Sequence, residues 1–561
     1  MNYSLSSFIY IYLSIVTFSF FIISFFLDYE YFVIWEIVTI NSVNFYIPFI
    51  FSWTNFLFRR IVCLIRINVM LFSKYYIFHE IFNYRFTFLV NIFICSMNIL
   101  IFIPNMIILL IGWDGLGITS FLLVVYYQNI RCLSSGLITI FINRIGDGFI
   151  LIRISLILNI GNWFFSFSIN HLLLILSLLL LCCCTKRAQF PFSCWLPAAI
   201  AAPTPVRALV HSSTLVTAGI FLIIRFYSFF SLFPLLKFYI ILVGRVTIVI
   251  AGLCAIVECN IKKIIALSTL RQLGVIIIRL GIGHPMLCYF HIIIHALFKA
   301  LLFLCAGSLI FMFNHSQDLR FIGNISNQLP LTISCIIISN MSLCGFPFIR
   351  GFYSKDLVIE YRFFGILNCS VYYTYILGAI LTFLYSLRFL LYCSFIKDIY
   401  MPINTLIDKR STNLVPIFIL SLFSVFSGGL INWFIFPFIE CFMSFYIKNI
   451  LLVIIIRLFF LYLSFYNFMV ILWDKLIFVI NLLRSILYLN YISGQIIIFY
   501  FIRFCRRIFI SLDAGWLEFI GPKGLYSLII SSSNELFSLQ LKTFISNILL
   551  IIIFFVFITF Y

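Results

Sequence analysis

Long apolar stretches fill most of this chain and restrict what it can fold into. Several are long enough to cross a hydrocarbon core of about 30 Å as a helix. In lipid, only helices and closed barrels leave no backbone polar group unpaired, and these stretches lack the alternation that barrel strands require. They therefore predict helices, and the clearest predicted spans are 92–112, 212–228, 236–256, 286–312, 412–432 and 543–561.

The balance of residue types places these helices in a membrane. Of the 561 residues, 64% are hydrophobic and only 9% are charged, which is too few polar side chains to cover a soluble globule. The chain is therefore predicted to be an all-α polytopic membrane protein with roughly fifteen or sixteen transmembrane helices. No charge precedes Asp28, and the start shows neither an Arg-rich presequence nor a cleavage-site pattern, so it predicts a first membrane helix.

Neither the charge nor the cysteines indicate a nucleic-acid partner or a metal. The net charge of +19 comes from scattered rather than clustered basic residues, so membrane lipid is an expected partner and nucleic acid is not. None of the 17 cysteines forms a C-x-x-C pair, as a zinc or iron–sulfur framework would. His291 and His295 stand one helical turn apart without the glutamate of the zincin motif, so no metal is expected there.

The chain divides into five predicted parts of unequal character. One part, the core, holds nearly all of the polar residues that lie inside apolar stretches. Near the end, a basic stretch around Arg503, Arg506, Asp513 and Lys523 predicts an amphipathic helix that lies along the membrane. The parts are N-terminal transmembrane helices (1–85, with a loop near Asp28–Glu36), the core (86–400), further transmembrane helices (401–473), the lateral amphipathic region (474–542) and an anchor helix (543–561).

Prolines interrupt two apolar stretches of the core. Four of them cluster between Pro191 and Pro205, and Pro347 follows later. Proline inside a spanning helix removes a backbone hydrogen bond, which membranes tolerate where the broken segment lines a polar cavity. Each broken segment lies close to a lysine, Lys186 or Lys355, so the pattern favours two repeated halves that carry an ion path.

Ionisable residues inside apolar stretches are the candidate site. A charge at the bilayer centre costs about 2.5–3.5 kcal/mol, so such residues are usually functional, paired or near a helix end. His291, His295 and Lys299 follow at i, i+4 and i+8, which places three protonatable groups on one helix face, as a proton relay requires. A structural hydrogen-bonded face is the alternative. Lys355 completes the set. The adjacent Asp356 either belongs to the proton path or only neutralises the charge of Lys355.

The remaining candidates have competing interpretations. Asp114 follows an apolar stretch and is either a functional acid or a loop acid at a helix end. Lys186 ends another apolar stretch. It is either a functional lysine or an interfacial lysine whose side chain reaches toward the lipid headgroups. His211 fits a protonatable group on the path. Arg144 and Asp147, at i and i+3, are predicted to pair with each other structurally.

Several long motifs carry a resemblance to a known family. Through them the chain resembles the chain 5 family of mitochondrial NADH:ubiquinone oxidoreductase (complex I), especially its arthropod members, within the antiporter-like superfamily. The likeness is colinear across most of the chain. The motifs are GWDGLGITSFLLVVYYQN from Gly112, NRIGD from Asn143, WLPAAIAAPTPV from Trp195, HSSTLVTAGIFLIIRF from His211, KKIIALSTL from Lys262, HALFKALLFLCAGS from His295, GFYSKDLVIE from Gly351 and SLDAGW from Ser511.

The resemblance implies an architecture and a route for protons. The architecture has two inverted antiporter-like repeats with broken helices, a lateral helix along neighbouring antiporter-like subunits, and an anchor helix. The route begins at an ion pair of Asp114 with Lys186 and continues through His211 and Lys299 to Lys355. Many relatives carry Glu where Asp114 stands, and the shorter side chain keeps the charge but changes its reach.

The implied function is proton translocation across the mitochondrial inner membrane, coupled to electron transfer from NADH to ubiquinone. No nucleotide-, flavin- or quinone-binding motif is visible, so NADH, FMN, iron–sulfur clusters and ubiquinone are expected on partner subunits. The gene is expected to be mitochondrial. One alternative is the large subunit of a bacterial Mrp-type cation/proton antiporter, which shares the core motifs. Another is a membrane scaffold without transport.

Four arginines depart from the family pattern, which has a small residue, commonly serine, at each of their positions. They are Arg187, Arg207, Arg271 and Arg350. Invertebrate mitochondria read the codons AGA and AGG as serine and ATA as methionine, whereas other codes give arginine and isoleucine. We hypothesise that the sequence was translated with the wrong code, which also accounts for only 10 methionines beside abundant isoleucine.

Overall fold

A computed structural model describes most of the chain. The residues described are 3–40, 43–78, 80, 82–160, 169–313, 315–323, 325–347, 349, 351–355, 357, 369–394, 411–436, 453–454, 457, 459–460, 477–488, 491, 495 and 497–560. They form two units, Met1–Asn490 and Tyr491–Tyr561. Helices make up nearly all of both, as predicted.

The first unit begins with a helix, a hairpin and a second helix. Helix α1 (Tyr3–Leu27) precedes the antiparallel strands β1 (Tyr31–Ile40) and β2 (Val43–Phe51), and α2 (Trp53–Tyr76) follows. The loop expected near Asp28–Glu36 is therefore shorter than predicted. Aromatic and β-branched residues crowd β1, and such residues suit a pleated strand, so the all-helical prediction was wrong over this hairpin.

A proline divides the predicted span 92–112 into two helices. Helix α3 (Asn83–Phe102) ends before Pro104, and α4 (Met106–Val124) starts after it. Proline cannot donate the backbone hydrogen bond that a continuous helix needs. The side chain of Asn105 caps α4 by accepting a hydrogen bond from the backbone of Ile107 at 3.2 Å.

The proline cluster breaks the chain as predicted. Helices α5 (Ile130–Ile160) and α6 (Ile169–Lys186) come first, and α7 (Leu215–Arg225) resumes after the break. Between α6 and α7 lie only short elements: the 3-10 turns Phe192–Cys194 and Ala199–Ala201, the short helices Trp195–Ala198 and Thr204–Val206, and the π-helix Arg207–Thr214.

Seven further helices complete the first unit. Three of them, α8, α10 and α13, match the predicted spans 236–256, 286–312 and 412–432. Short elements also occur at Tyr227–Phe230, Leu319–Phe321 and Ile325–Gln328. The seven are α8 (Pro234–Val257), α9 (Ile261–Ile282), α10 (Pro285–Met312), α11 (Pro330–Cys344), α12 (Cys369–Ser394), α13 (Ser411–Ile435) and α14 (Ile477–Arg484).

The second unit is helical throughout its described length. Helix α15 (Ile497–Ile508) runs into the π-helix Phe509–Leu517 and a short helix, Glu518–Ile520. Helix α16 (Pro522–Phe560) has 39 residues. It contains both the end of the predicted lateral region and the predicted anchor helix.

The helices identify a multi-pass membrane protein. Within the described ranges, ten helices are long and apolar enough to cross a bilayer, and three shorter apolar helices accompany them. The predicted total of fifteen or sixteen stays a prediction, because parts of 358–368, 395–410 and 437–476 lie outside those ranges.

Helix α9 is the most deeply buried of the long helices. It packs against α8, α10 and α12, and its exposed area is small along its whole length. Two glycines let α8 and α9 approach closely, because a Cβ on Gly274 would lie 3.0 Å from the carbonyl oxygen of Gly244. Such small residues are typical of closely packed membrane helices.

Replacing Gly274 by alanine should force α8 and α9 apart. The added Cβ would meet Thr247 Oγ1 at 2.6 Å and Ile248 Cγ1 at 2.8 Å, and overpacking typically costs about 1–3 kcal/mol. We expect a lower thermal unfolding midpoint for the purified protein. The control is Gly429→Ala, where the nearest described atom is Tyr353 Oη at 4.0 Å; equal midpoints for both variants would contradict the packing argument.

Candidate functional site

One arginine joins two acids on neighbouring helices. Asp114 lies inside α4 rather than in a loop, and Arg144 Nη1 on α5 approaches its Oδ2 to 3.3 Å. The same nitrogen lies 3.4 Å from Oδ2 of Asp147, one turn further along α5. The predicted pairing of Arg144 with Asp147 is therefore confirmed, but Asp114 shares the arginine.

Asp147 contributes more to this cluster than its spacing from Arg144 suggested. Its carboxyl group shares Arg144 Nη1 with Asp114 and lies within electrostatic reach of both Asp114 and Lys186. The close contact of α5 with α6 explains this, since a Cβ on Gly146 would collide with Thr185 Oγ1. A glycine directly before a buried acid was the only sequence signal for this approach.

Lys186 is fully buried at the end of α6. Its Nζ donates a hydrogen bond to the backbone carbonyl of Trp113 and lies 3.7 Å from the centroid of the Trp113 ring. Such a position over an aromatic face stabilises a cation. The direct ion pair expected with Asp114 does not form, because Asp114 binds Arg144 instead. We call Asp114, Arg144, Asp147 and Lys186 the first cluster.

His211 lies in the π-helix Arg207–Thr214, and its side chain is not among those described. π-Helical turns are rare and often occur at functional sites. The sequence signal at this position was the proline cluster before it, which prevents a regular helix.

The second predicted group of residues lines α10. His291, His295 and Lys299 occupy one face and are almost completely buried, as their spacing predicted. The rings of the two histidines are 6.5 Å apart between centroids. Among the described residues, neither ring nitrogen of His295 has a hydrogen-bond partner, whereas Lys299 donates a hydrogen bond to Ser268 Oγ on α9.

Lys355 lies beside the histidine face. It ends the helical stretch 351–355 and donates a hydrogen bond to the carbonyl of Leu343. Its neighbour Ser354 places Oγ 2.8 Å from Nδ1 of His291. Gly345 allows this approach, because its φ of +85° suits glycine and a Cβ there would lie 3.1 Å from Lys355 Cδ.

Two separate groups of candidates therefore result. The second cluster, as we name it, consists of His291, His295, Lys299 and Lys355. Asp356, the remaining predicted site residue, lies outside the described residues. In the described part of the chain, no three His, Cys, Asp or Glu side chains gather as metal ligands would.

Several arginines are also buried between the helices of the first unit. Moving an ion from water into an apolar interior costs several kcal/mol unless partners compensate. Three of the four arginines that depart from the family pattern are buried, and Arg350 lies outside the described residues. The largest fully buried side chains include Arg66, Arg153, Arg187, Arg207, Arg271 and Arg279.

Their surroundings differ from those of an arginine with partners. None of Arg66, Arg207 and Arg271 forms an ion pair among the described residues, and each keeps at least two guanidinium nitrogens without an acceptor. In contrast, the partly buried Arg225 donates to the carbonyls of Leu100, Ile101 and Ile103.

Comparison with protein families gives two adjoining matches. Residues 104–384 match the family "NADH:quinone oxidoreductase/Mrp antiporter, TM". Residues 385–561 match the family "NADH dehydrogenase subunit 5 C-terminus". The first match contains every predicted site residue.

Related chains and solved structures point the same way. NADH-ubiquinone oxidoreductase chain 5 of Aedes aegypti is 39% identical, covering 98% of this chain and 95% of that one. The Lumbricus terrestris chain 5 is 45% identical over 71% of this chain and 70% of its own. Among solved structures, the Mrp complex from Dietzia sp. DQ12-45-1b has a TM-score of 0.68 at 22% identity, covering 78% of this chain but only 50% of that one. An archaeal membrane-bound sulfane sulfur reductase has a TM-score of 0.62 at 21% identity, covering 71% of this chain and 68% of that one.

Proposed function

Because this chain belongs to the family of NADH-ubiquinone oxidoreductase chain 5, we propose that it moves protons across the mitochondrial inner membrane as a membrane-arm subunit of that enzyme. The observation that carries the proposal is the set of buried lysines and histidines between apolar helices. Such groups are costly in a membrane and are kept where they transfer ions or protons. NADH, FMN, iron–sulfur clusters and ubiquinone then belong to partner subunits.

Proton uptake begins at the first cluster. Charges interact strongly between apolar helices because little water screens them. When Asp114 and Asp147 lie close to Lys186, their negative charge favours the protonated lysine. When the acids move away, the buried lysine loses that support and releases its proton toward His211. Arg144 sets this balance, since it neutralises part of the acids' charge.

The second cluster carries the proton onward. His211 passes it to the face of α10, where His291, His295 and Lys299 receive it. Lys355 with Asp356 is the last carrier on this side. Because histidine and a buried lysine can each exist with or without the extra proton, all of these groups suit transfer.

The two alternative functions, an Mrp-type antiporter and a scaffold without transport, explain fewer of the observations on this chain. A bacterial Mrp-type antiporter shares the fold. However, this chain is only 22% identical in sequence to the solved Mrp structure, whereas it is 39% identical to the Aedes aegypti chain 5. The match over residues 385–561 also favours chain 5. A scaffold without transport gives no reason to bury charges at a cost in stability.

We assign the lateral region a mechanical role. Helix α15 carries Arg503, Arg506 and Arg507 among apolar residues, a pattern typical of helices at the membrane surface. In this proposal, residues 474–542 lie along the membrane and connect the chain to neighbouring antiporter-like subunits and to lipids, while 543–561 anchor the end.

Replacing Lys186 by methionine should stop most proton pumping. The change removes the titrating group and keeps a long apolar side chain, and proton-transfer groups typically contribute about 100-fold or more to a rate. Asp114→Asn should also impair pumping, because the cluster loses one of the two acids that hold Arg144. The measurement is proton uptake into vesicles beside NADH oxidation, in complexes confirmed to be assembled.

Lys237→Met is the control for that experiment, since Lys237 lies on α8 outside both clusters. Its pumping should match that of the unaltered complex. Unchanged pumping in both Lys186→Met and Asp114→Asn would reduce the first cluster to a structural role.

Truncation before Cys505 should prevent stable assembly. The shortened chain keeps both clusters. It loses the end of α15, the π-helix Phe509–Leu517 and α16, and with them the proposed connection to neighbouring subunits. The amount of intact complex in mild detergent is the measurement, with the full chain as reference. A truncated chain that yields an assembled and fully coupled complex would rule out the connecting role.

A further inference from the structure

Hydroxyl groups lead away from Lys299, and the proton route through His211 and the α10 face does not use them. Lys299 donates a hydrogen bond to Ser268 Oγ, and Ser268 donates one to the carbonyl of Ile265 at 2.6 Å. The hydroxyl of Tyr385 on α12 faces Ser268 and makes no well-formed hydrogen bond within the part of the chain that the structure describes. The side chains of Lys299, Ser268 and Tyr385 are all buried.

Polar groups continue from Tyr385 toward Lys355. Next to Tyr385 on α12, Ser386 Oγ lies 2.9 Å from Sγ of Cys344 at the end of α11. Lys355 donates a hydrogen bond to the carbonyl of Leu343, which precedes Cys344. Cys344 lies within electrostatic reach of both Tyr385 and Lys355, so helices α9, α11 and α12 place polar groups between two buried lysines.

We propose that Ser268 and Tyr385 carry protons from Lys299 toward Lys355, an inference that rests on the proposed function. The ammonium group of Lys299 gives a proton to the Ser268 oxygen while Ser268 gives its own hydroxyl proton to the Tyr385 oxygen. Tyr385 gives up its phenolic proton as it takes the one from Ser268, and the neutral Lys355 amine accepts the released proton. Each hydroxyl again has one proton, and one positive charge has moved from Lys299 to Lys355. Hydroxyl groups suit this transfer because they donate and accept at once.

Tyr385→Phe and Ser268→Ala test the relay, because each removes a hydroxyl group and little else. We expect both variants to lower proton uptake per NADH oxidised by about tenfold or more in assembled complexes. Ser268→Thr keeps a hydroxyl group and should restore most of the uptake. The matched control is Tyr289→Phe. It loses a buried hydroxyl group that donates to the carbonyl of Thr54 and is not part of the proposed relay.

The pumping of these variants distinguishes a relay from a positioning role. Normal pumping in Tyr385→Phe would overturn the relay, as would a loss in Ser268→Ala alone, which would make Ser268 a positioning residue for Lys299. Lys299→Met is measured alongside. If it pumps normally, the proposed function fails, whereas loss in Lys299→Met with normal pumping in Tyr385→Phe refutes the relay only.

A second inference rests on the buried arginines. We infer that position 66 holds serine in the native protein, as the genetic-code hypothesis gives for positions 187, 207 and 271. Arg66 is buried in α2, and none of its three guanidinium nitrogens has an acceptor among the described residues. Its guanidinium carbon lies 3.0 Å from the centroid of the Tyr10 ring, a contact that provides no hydrogen-bond acceptor for those nitrogens.

Peptide sequencing of the native protein by mass spectrometry tests this inference. We expect serine at positions 66, 187, 207 and 271, and hence no tryptic cleavage after them. Arg225, with its three carbonyl acceptors, should be found as arginine in the same digest. Arginine at position 66 would overturn the inference, and serine at position 225 would show that the lack of hydrogen-bond acceptors is not what distinguishes the two classes.

Discussion

A charge held between apolar helices needs a partner that replaces water, and the arrangement of both clusters follows from this constraint. In the first cluster, Arg144 serves Asp114 and Asp147 together. Lys186 uses a different solution, a backbone carbonyl and the face of Trp113. Because these partners carry no full negative charge, the field at Lys186 depends on how close the two acids lie, and a small movement of α4 or α5 changes it.

The second cluster follows the same principle with hydroxyl groups. Lys299 donates a hydrogen bond to Ser268 Oγ, and His291 Nδ1 lies at hydrogen-bond distance from Ser354 Oγ, so both of these groups have a neutral oxygen as their partner. A carboxylate would hold a proton on the lysine, whereas a hydroxyl group accepts a hydrogen bond from the charged form and can donate one to the neutral form. Neutral partners therefore leave the protonation state free to change, which a relay requires.

Patterns along one helix were predictable, but contacts between helices were not. Spacing alone gave the spans at α8, α10 and α13, the broken segment after Lys186 and the face of His291, His295 and Lys299. The hairpin was missed because its apolar residues suit either a strand or a helix. Asp114 and Arg144 are 30 residues apart, and only the packing of α4 against α5 brings them together. The direct pair expected between Asp114 and Lys186 fails for the same reason, since a closer arginine competes for the acid.

The identity of residue 271 bears directly on whether the second cluster can transfer protons. Arg271 lies on α9, within electrostatic reach of both Lys299 and Tyr385. A fixed positive charge there would repel the ammonium form of Lys299 and so oppose the protonated state that a relay must visit. Serine at position 271 removes that repulsion and adds a hydroxyl group beside Ser268. The genetic-code hypothesis and the proposed proton path therefore support each other, because serine at position 271 would both remove a buried charge and make the lysine easier to protonate.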